Sequence, residues 1–276
     1  MVRLGFIMAC IFMAMPARSH EDPSGEVNPQ VEECRGHFCI RFQNNTEWRY
    51  YRIEIGLDGA ILRKRQAIKE SEIPPESEKY QKPPELEFLH ELEFGLVAMD
   101  RGRVFVFPRV RRQHEGKPIL HRLGEDRIVE SIRLPIGKLV VDWVHDAVVR
   151  GEFVYLLVTE HDSDDLWLLC LRDGGRKLAG RLKVGAARKI YFFPRASNLG
   201  LFGGTAFVAW TGRDRKLMLT RFDPVTGERK DEVLLDRITW NTHLSLKVIG
   251  NTLLLAWHGM CEKCSGSEIQ WTVKKL

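Results

Sequence analysis

Short runs of alternating hydrophobic and polar residues recur along the chain from His37 to the end, and turn residues separate them. Alternation with β-branched and aromatic residues is typical of half-buried strands, and Gly, Asp and Pro between such runs indicate hairpin turns. The pattern therefore predicts an all-β protein built from consecutive hairpins.

The runs repeat as a larger unit. The segments 146–184, 198–236 and 243–276 each contain an alternating strand, a turn with Gly, an apolar strand (FVYLLV, AFVAW or TLLLAW) and, after a polar tip, a third strand (LWLLCL, LMLTRF or EIQWTV). The first two segments continue into a polar fourth strand, whereas the third ends without one. Segments 37–68 and 96–134 fit the same scheme, which makes five units.

Four strands repeated about every 50 residues are the pattern of a β-propeller blade. We therefore predict a β-propeller of about five four-stranded blades, with residues 31–276 as a single domain. A β-sandwich would give similar strand signals but would not account for the four-strand repeat. Because the last unit lacks an outer strand, we expect residues 27–34 to supply it and close the ring. Residues 20–30 are predicted to be a linker, and 69–84, rich in Glu, Lys and Pro, an exposed loop.

This pattern resembles the secreted β-propeller repeat proteins, including sialidase-like and other glycan-handling propellers. The resemblance rests on the blade pattern, because the Ser-x-Asp-x-Gly-x-Thr-Trp turn of sialidase repeats is absent from the sequence. Residues 163–167 (SDDLW) match that turn only in part. The resemblance implies a protein that binds or cleaves a glycan.

The N-terminus predicts export. Arg3 precedes an apolar stretch from Leu4 to Met15, and small residues before a cleavage point after Ser19 complete the pattern of a signal peptide, residues 1–19. We expect a periplasmic or secreted protein with no later transmembrane segment. Removing the leader leaves 40 basic and 37 acidic residues, a net charge of +3. This mild charge, with acids and bases interspersed, does not indicate a nucleic-acid partner.

In a propeller, the loops between second and third strands open on the same face as the loops between blades, so we expect a ligand there, at the mouth of the central channel. The predicted loops combine aromatic rings with polar groups that can orient a sugar or another small ligand. The candidate ligand-binding residues are Glu93, Trp143, His145, Asp146, Arg195, Asn198, Trp240 and His243. An alternative is that such polar residues bond neighbouring blades together.

Two functions remain open from the sequence. One is a non-catalytic binding or scaffolding protein whose top-face loops bind a protein or glycan partner. The other is a propeller glycoside hydrolase, which needs two carboxylates at a defined separation. Asp146 and Glu93 are candidates, with Asp100 and Asp142 as further ones. The sequence contains no Gly-x-Ser-x-Gly or His-Glu-x-x-His motif, so no catalytic residue is assigned, and no cofactor or metal is predicted.

Five cysteines remain after the leader. Cys170 lies in an apolar strand, and we expect a buried free thiol there. Cys34, Cys39, Cys261 and Cys264 form two close pairs, which predicts disulfides in an oxidising compartment. Local bridges (34–39 and 261–264), cross-bridges that join the two ends of the chain, and a four-thiolate zinc site are the alternatives.

Overall fold

The computed structural model describes residues 26–69, 94–100, 103–108, 119–123, 128–186, 198–237, 244–260 and 267–276, except positions 45, 48, 162 and 164. Within these ranges every regular element is a β-strand, apart from a short 3-10 helix at Asp173–Gly175. The all-β prediction is confirmed.

The strands form five antiparallel sheets in the described residues, and each sheet is a meander whose strands pair in chain order. The first sheet contains β1 (Glu26–Cys34), β2 (His37–Asn44), β3 (Arg49–Ile55) and β4 (Ile61–Ala67). The second contains β5 (Phe94–Asp100), β6 (Arg103–Pro108), β7 (Ile119–Leu123) and β8 (Ile128–Arg133). The third contains β9 (Val141–Arg150), β10 (Phe153–Glu160), β11 (Asp165–Arg172) and β12 (Lys177–Ala186). The fourth contains β13 (Leu199–Phe202), β14 (Thr205–Thr211), β15 (Leu217–Phe222) and β16 (Arg229–Leu235). The fifth contains β17 (Leu244–Ile249), β18 (Thr252–Met260) and β19 (Ser267–Lys275).

Burial changes in a regular way across a sheet. All seven residues of β14, the second strand of its sheet, are buried. All seven residues of β4, an outer strand, are exposed. Strand β14 is covered on both faces by neighbouring sheets, which explains why it is a continuous apolar run in the sequence, whereas the exposed outer strand β4 is polar.

Hydrophobic clusters fill the spaces between the second and third, third and fourth, fourth and fifth, and fifth and first sheets. Alternate residues of one strand point to opposite neighbours: in β14, Val208 packs toward the third sheet and Phe207 toward the fifth. Representative members are Leu120 with Leu156 (second and third sheets), Leu157 with Val208 (third and fourth), Phe207 with Leu255 (fourth and fifth) and Phe38 with Leu254 (first and fifth). The last sheet of the chain therefore packs on the first, and this order of stacked meanders is the one expected of propeller blades.

The contact between the first and last sheets is not made in the predicted way. Residues 27–34 were expected to form the outer strand of the last sheet, but β1 pairs with β2 and is the first strand of the first sheet. A two-residue turn determines this pairing, because Arg35 and Gly36 have positive φ angles of 51° and 82° and place Cys34 opposite His37. In the described residues the fifth sheet has three strands.

Strand β1 nevertheless joins the two ends of the chain by packing. It lies against β17, β18 and β19, and the buried backbone N–H of Val31 donates a 2.9 Å hydrogen bond to Ser245 Oγ in β17. Strand β1 begins at Glu26, inside the segment that the sequence assigned to a linker. Residues 70–84 of the predicted exposed loop lie outside the described residues.

Substitution of Ser245 by Ala tests the contact between the first and last sheets. The change leaves the Val31 N–H buried without its acceptor, so we expect the free energy of unfolding to fall by about 1–3 kcal/mol in urea denaturation. The matched control is Thr226→Ala, because the Thr226 hydroxyl also accepts a backbone N–H, that of Glu228, but in an exposed turn. A loss no larger than that of the control would show that the Val31–Ser245 bond does not hold the two sheets together.

Candidate functional site

The strand β9 begins at one end of the third sheet, beside the hairpin that joins β10 and β11. Val141 of β9 pairs with Glu160 of β10, and Asp165 of β11 pairs with Ala186 of β12, so these four residues lie at one end of the sheet. We call this end the entry end. The backbone N–H of Arg213, in the β14–β15 hairpin, donates to the Ala186 carbonyl (3.3 Å), which places that hairpin at the same end.

Asp146 connects two sheets at their first strands. Its side chain is fully buried, and Oδ2 accepts hydrogen bonds from the backbone N–H groups of Asn198 (2.8 Å) and Leu199 (3.0 Å). Its Oδ1 accepts a third, from the N–H of Ala147 (2.9 Å). Backbone amides in a buried setting hold a carboxylate strongly. The carboxylate therefore fixes the start of β13 against β9, which corresponds to the blade-bonding alternative for this residue.

Asn198 is also buried and is engaged on three sides. Its backbone N–H contacts Asp146, its carbonyl accepts the N–H of Ala209 (2.9 Å), and its Nδ2 donates to the Ala209 carbonyl (3.1 Å). In the described part of the chain Asn198 Oδ1 and the nearby Thr211 Oγ1 are buried without a hydrogen-bond partner. Asn198 thus anchors the start of β13 and keeps one acceptor available.

His145 is buried beside Asp146, and its Nε2 is hydrogen-bonded to Thr159 Oγ1 on β10. Burial lowers the pKa of His145 to about 3, because desolvation disfavours the imidazolium. The same cause lowers the pKa of His258, in β18, to about 4. Both rings are therefore neutral at physiological pH, and that of His145 is hydrogen-bonded inside its sheet.

Of the remaining candidate ligand-binding residues, Trp143 lies in a described strand and four others do not. Trp143 lies within β9 and pairs with Thr159. Residues 143–146, predicted to be a loop between blades, belong to the strand Val141–Arg150, because the backbone amides that surround Asp146 allow a carboxylate inside a sheet. Four candidates lie outside the described residues: Glu93, Arg195, Trp240 and His243.

Two β-bulges give β9 an irregular face. Its pairing with β10 passes from Asp146–Leu157 to Val144–Val158, and from Trp143–Thr159 to Val141–Glu160, so His145 and Asp142 are each inserted as an extra residue. A bulge changes the direction of a side chain and is common next to functional sites. Asp142 Oδ1 lies 3.4 Å from Nδ1 of His161, which is at the tip of the β10–β11 hairpin.

The structure also brings together several residues around Glu160, which precedes His161, and the sequence pattern did not reveal them. Glu160 Oε2 accepts hydrogen bonds from the indole Nε1 of Trp167 (3.1 Å) and from Ser163 Oγ (3.0 Å). We call Asp142, Glu160, His161, Ser163 and Trp167 the entry cluster. Asp142 was named only as a further acid, and the partial SDDLW match was the one signal at Ser163 and Trp167.

The entry cluster is bounded by charged side chains that are themselves paired. Lys183 Nζ lies 2.5 Å from Asp165 Oδ2, and Arg213 Nη2 donates to the Ser163 carbonyl (2.7 Å). The side chains of Asp142 and His161 remain 36% and 30% exposed. The cluster is thus accessible from solvent while its members hold one another in place.

The cysteine predictions are resolved in part. Cys34 and Cys39 form a disulfide, so the local bridge 34–39 is confirmed, and the cross-bridges and the four-thiolate zinc site predicted with these residues are wrong. A hairpin places Cys34 and Cys39 close together in neighbouring strands, which is why the local bridge forms. Cys170 is a buried free thiol, as predicted, and burial raises its pKa. Cys261 and Cys264 lie outside the described residues.

Among the residues that the structure describes, two groups of side chains have donor atoms close enough to hold a metal ion, and both include Cys39 of the disulfide. They are Glu32 with Cys34 and Cys39, and His37 with Cys39 and Glu54, in each of which the donor atoms lie within 4.8 Å of one another. Both groups belong to the first sheet, away from the entry cluster.

Comparison with known proteins gives structural likenesses only. No family model matches the sequence, and no curated protein matches it. A β-xylosidase structure is 10% identical with a TM-score of 0.43, covering 91% of this chain and 92% of that one. The GH43_1 enzyme from Xanthomonas citri is 11% identical with a TM-score of 0.40, covering 91% and 87%. Hydrazine synthase from Kuenenia stuttgartiensis is 10% identical with a TM-score of 0.45, covering 98% and 66%.

Among the described residues, none forms a helix of sufficient length and hydrophobicity to cross a membrane.

Replacement of Asp146 by Ala tests its role between the sheets. Three buried backbone N–H groups lose their acceptor, so we expect the free energy of unfolding to fall by about 3 kcal/mol or more. Asp142→Ala is the matched control, because this half-exposed carboxylate lies in the same strand, and we expect a change of about 0.5 kcal/mol or less. Equal losses in the two variants would refute the structural role of Asp146.

The buried histidines predict a loss of stability in acid. Their folded pKa values of about 3 and about 4 lie below the unfolded value near 6.5, so the unfolded chain binds more protons below pH 6.5 and stability falls toward the folded pKa values. At pH 5 the difference is about 2 kcal/mol for each histidine. Urea denaturation between pH 7 and 5 should show a smaller loss for His145→Gln and for His258→Gln than for the unmodified protein. An unchanged loss in both variants would contradict the assignment.

Proposed function

We propose that this chain is an exported, non-catalytic β-propeller that binds a glycan through the entry cluster. In this proposal the five sheets are the blades of a closed ring, and the packing of the first sheet on the last supports closure. The signal-peptide pattern at residues 1–19 supports export to the periplasm or the cell exterior. The Cys34–Cys39 disulfide agrees with an oxidising compartment.

The observation that carries the proposal is the bulge at Asp142, which sets this carboxylate beside His161 at the entry end. Glycan hydroxyls are recognised by fixed acceptors and donors together with an aromatic side chain that supplies apolar area. Asp142 and His161 provide the polar groups, and the part-buried Trp167 donates to Glu160, which directly precedes His161 in the chain. Because these side chains are held by mutual bonds before a ligand arrives, little entropy is lost on binding.

The engagement of the buried carboxylate favours binding over hydrolysis. Asp146 is one of the two leading candidates for a catalytic acid in the sequence. Both of its carboxylate oxygens accept hydrogen bonds from backbone amides between two sheets. A group in that position cannot reach a glycosidic bond without breaking the contact between the sheets. Asp142 and Glu160 each have a side-chain partner as well.

A propeller glycoside hydrolase is the second candidate function. The observation in its favour is that three carboxylates, those of Asp142, Glu160 and Asp165, occur at the entry end of a single sheet. Inverting and retaining glycosidases both need two such groups, about 5–10 Å apart. The binding experiment must therefore include a measurement of glycan cleavage.

A glycan array followed by calorimetry with the strongest hit tests the proposal. We expect Asp142→Asn and His161→Gln each to weaken glycan binding by about tenfold, the effect of one lost polar contact of about 1.4 kcal/mol. The matched control is Asp173→Asn, which removes a half-exposed carboxylate paired with Lys177 (3.5 Å) beyond the other end of β11. The control should bind like the unmodified protein, and thermal melting should show all three variants folded.

The outcomes separate the alternatives. Absence of glycan binding, or equal loss in the control, would overturn the proposal, and capture of a protein partner by the unmodified chain but not by the two variants would replace the glycan with a protein. Release of reducing sugar that Glu160→Gln abolishes, with binding retained, would favour the hydrolase.

A further inference from the structure

One face of the first sheet carries sulfur, imidazole and carboxylate groups that the proposed glycan site does not use. Cys34 pairs with His37, Glu32 pairs with Cys39, and Cys39 in turn pairs with Glu54 on the next strand. Residues directly opposite in antiparallel strands project from the same face, so all five side chains share one face, which we call the sulfur face. The opposite face of this sheet, with Phe38 and Ile40, packs on the fifth sheet.

Most groups of the sulfur face are withdrawn from solvent. Cys39 is fully buried, and the side chains of His37 and Glu54 are 20% and 14% exposed. His37 Nε2 lies 3.1 Å from Glu54 Oε2, and Cys39 Sγ lies within 4.8 Å of both donor atoms. Burial of charged and polar groups is costly, and a disulfide by itself requires neither an imidazole nor a carboxylate beside it.

We propose that the sulfur face is a redox-controlled metal site, which binds Zn²⁺ through Cys34, His37, Cys39 and Glu54 when the disulfide is reduced. Two thiolates, one imidazole and one carboxylate are a ligand set that zinc accepts in tetrahedral geometry. The hairpin turn keeps Cys34 opposite His37 after reduction, since the pairing of β1 with β2 extends along both strands. In the oxidised protein the two sulfurs are bonded to each other and the thiolate ligands do not exist.

Reduction of the disulfide precedes metal binding. A dithiol reductant transfers two electrons and two protons to the Cys34–Cys39 bond, which gives two thiols and leaves the reductant as a disulfide. Binding of Zn²⁺ then releases both thiol protons to solvent. A disulfide oxidant reverses the first step and expels the metal.

Nearby arginines favour the anionic metal complex. A zinc ion with two thiolates and one carboxylate has a net charge of −1. Arg52 and Arg63 lie 3.6 Å and 3.7 Å from Glu54 Oε1, and Arg41 lies 2.6 Å from Glu32 Oε2. This positive charge lowers the cost of the thiolates, and the closer contact of Arg41 engages Glu32, the other acid of this face.

Cobalt substitution tests the site directly, because Co²⁺ bound to thiolates in a tetrahedral site absorbs in the near ultraviolet and the visible. The protein is the full chain with Cys261→Ser and Cys264→Ser, so that only the sulfur face offers paired thiols, and it is reduced anaerobically. We expect one Co²⁺ per chain, displacement by Zn²⁺, and loss of both absorptions on oxidation. His37→Gln and Glu54→Gln should each weaken Co²⁺ binding by about tenfold or more, and Cys34→Ser with Cys39→Ser should abolish it.

The matched control is His161→Gln, which removes an imidazole paired with a carboxylate at 3.4 Å in the third sheet. It should bind Co²⁺ like the parent. Reduced protein that gives no thiolate absorption, that unfolds by near-ultraviolet circular dichroism, or that binds Co²⁺ equally well in His37→Gln and Glu54→Gln would overturn the proposal.

Discussion

The structure depends on one requirement: a small antiparallel sheet with two apolar faces can bury both only by packing between two other sheets. The second strands meet this requirement by sending successive residues to opposite neighbours, as Leu156 and Leu157 do in β10. The clusters join the second, third, fourth, fifth and first sheets in that order, and the cluster of Phe38 with Leu254 buries one face of the first sheet against the last, so sheets that are distant in sequence meet.

Apolar packing is not directional, so polar contacts must fix how the sheets are aligned. Asp146 does this between the third and fourth sheets, where its carboxylate accepts hydrogen bonds from backbone amides at the first strands of both sheets. The Val31–Ser245 bond acts between the first and fifth. Both are buried, and in a medium of low polarity a misaligned pair would leave an unsatisfied group at a cost comparable with a core substitution. Residues that resemble a ligand site in the sequence can therefore be the alignment elements of the fold.

The sequence predicted the strands well because each second strand has a clear apolar run between turn residues, as in TLLLAW. It failed for β1, since the choice between pairing with β2 and pairing with β19 is decided by the backbone at Arg35 and Gly36. It also failed for β9, where bulges at Asp142 and His145 break the period of two. A bulge depends on the partner strand, so alternation within one segment does not reveal it.

The bulges also explain why similar side chains in one strand have different roles. Asp142 and Asp146 are four residues apart, and in a regular strand they would project from the same face at similar burial. The inserted residues interrupt that relation: Asp146 faces the amides of the fourth sheet, whereas Asp142 turns toward His161 and solvent. The number of buried backbone donors around a carboxylate thus distinguishes an acid that joins two sheets from one that faces solvent, which residue type and spacing alone do not.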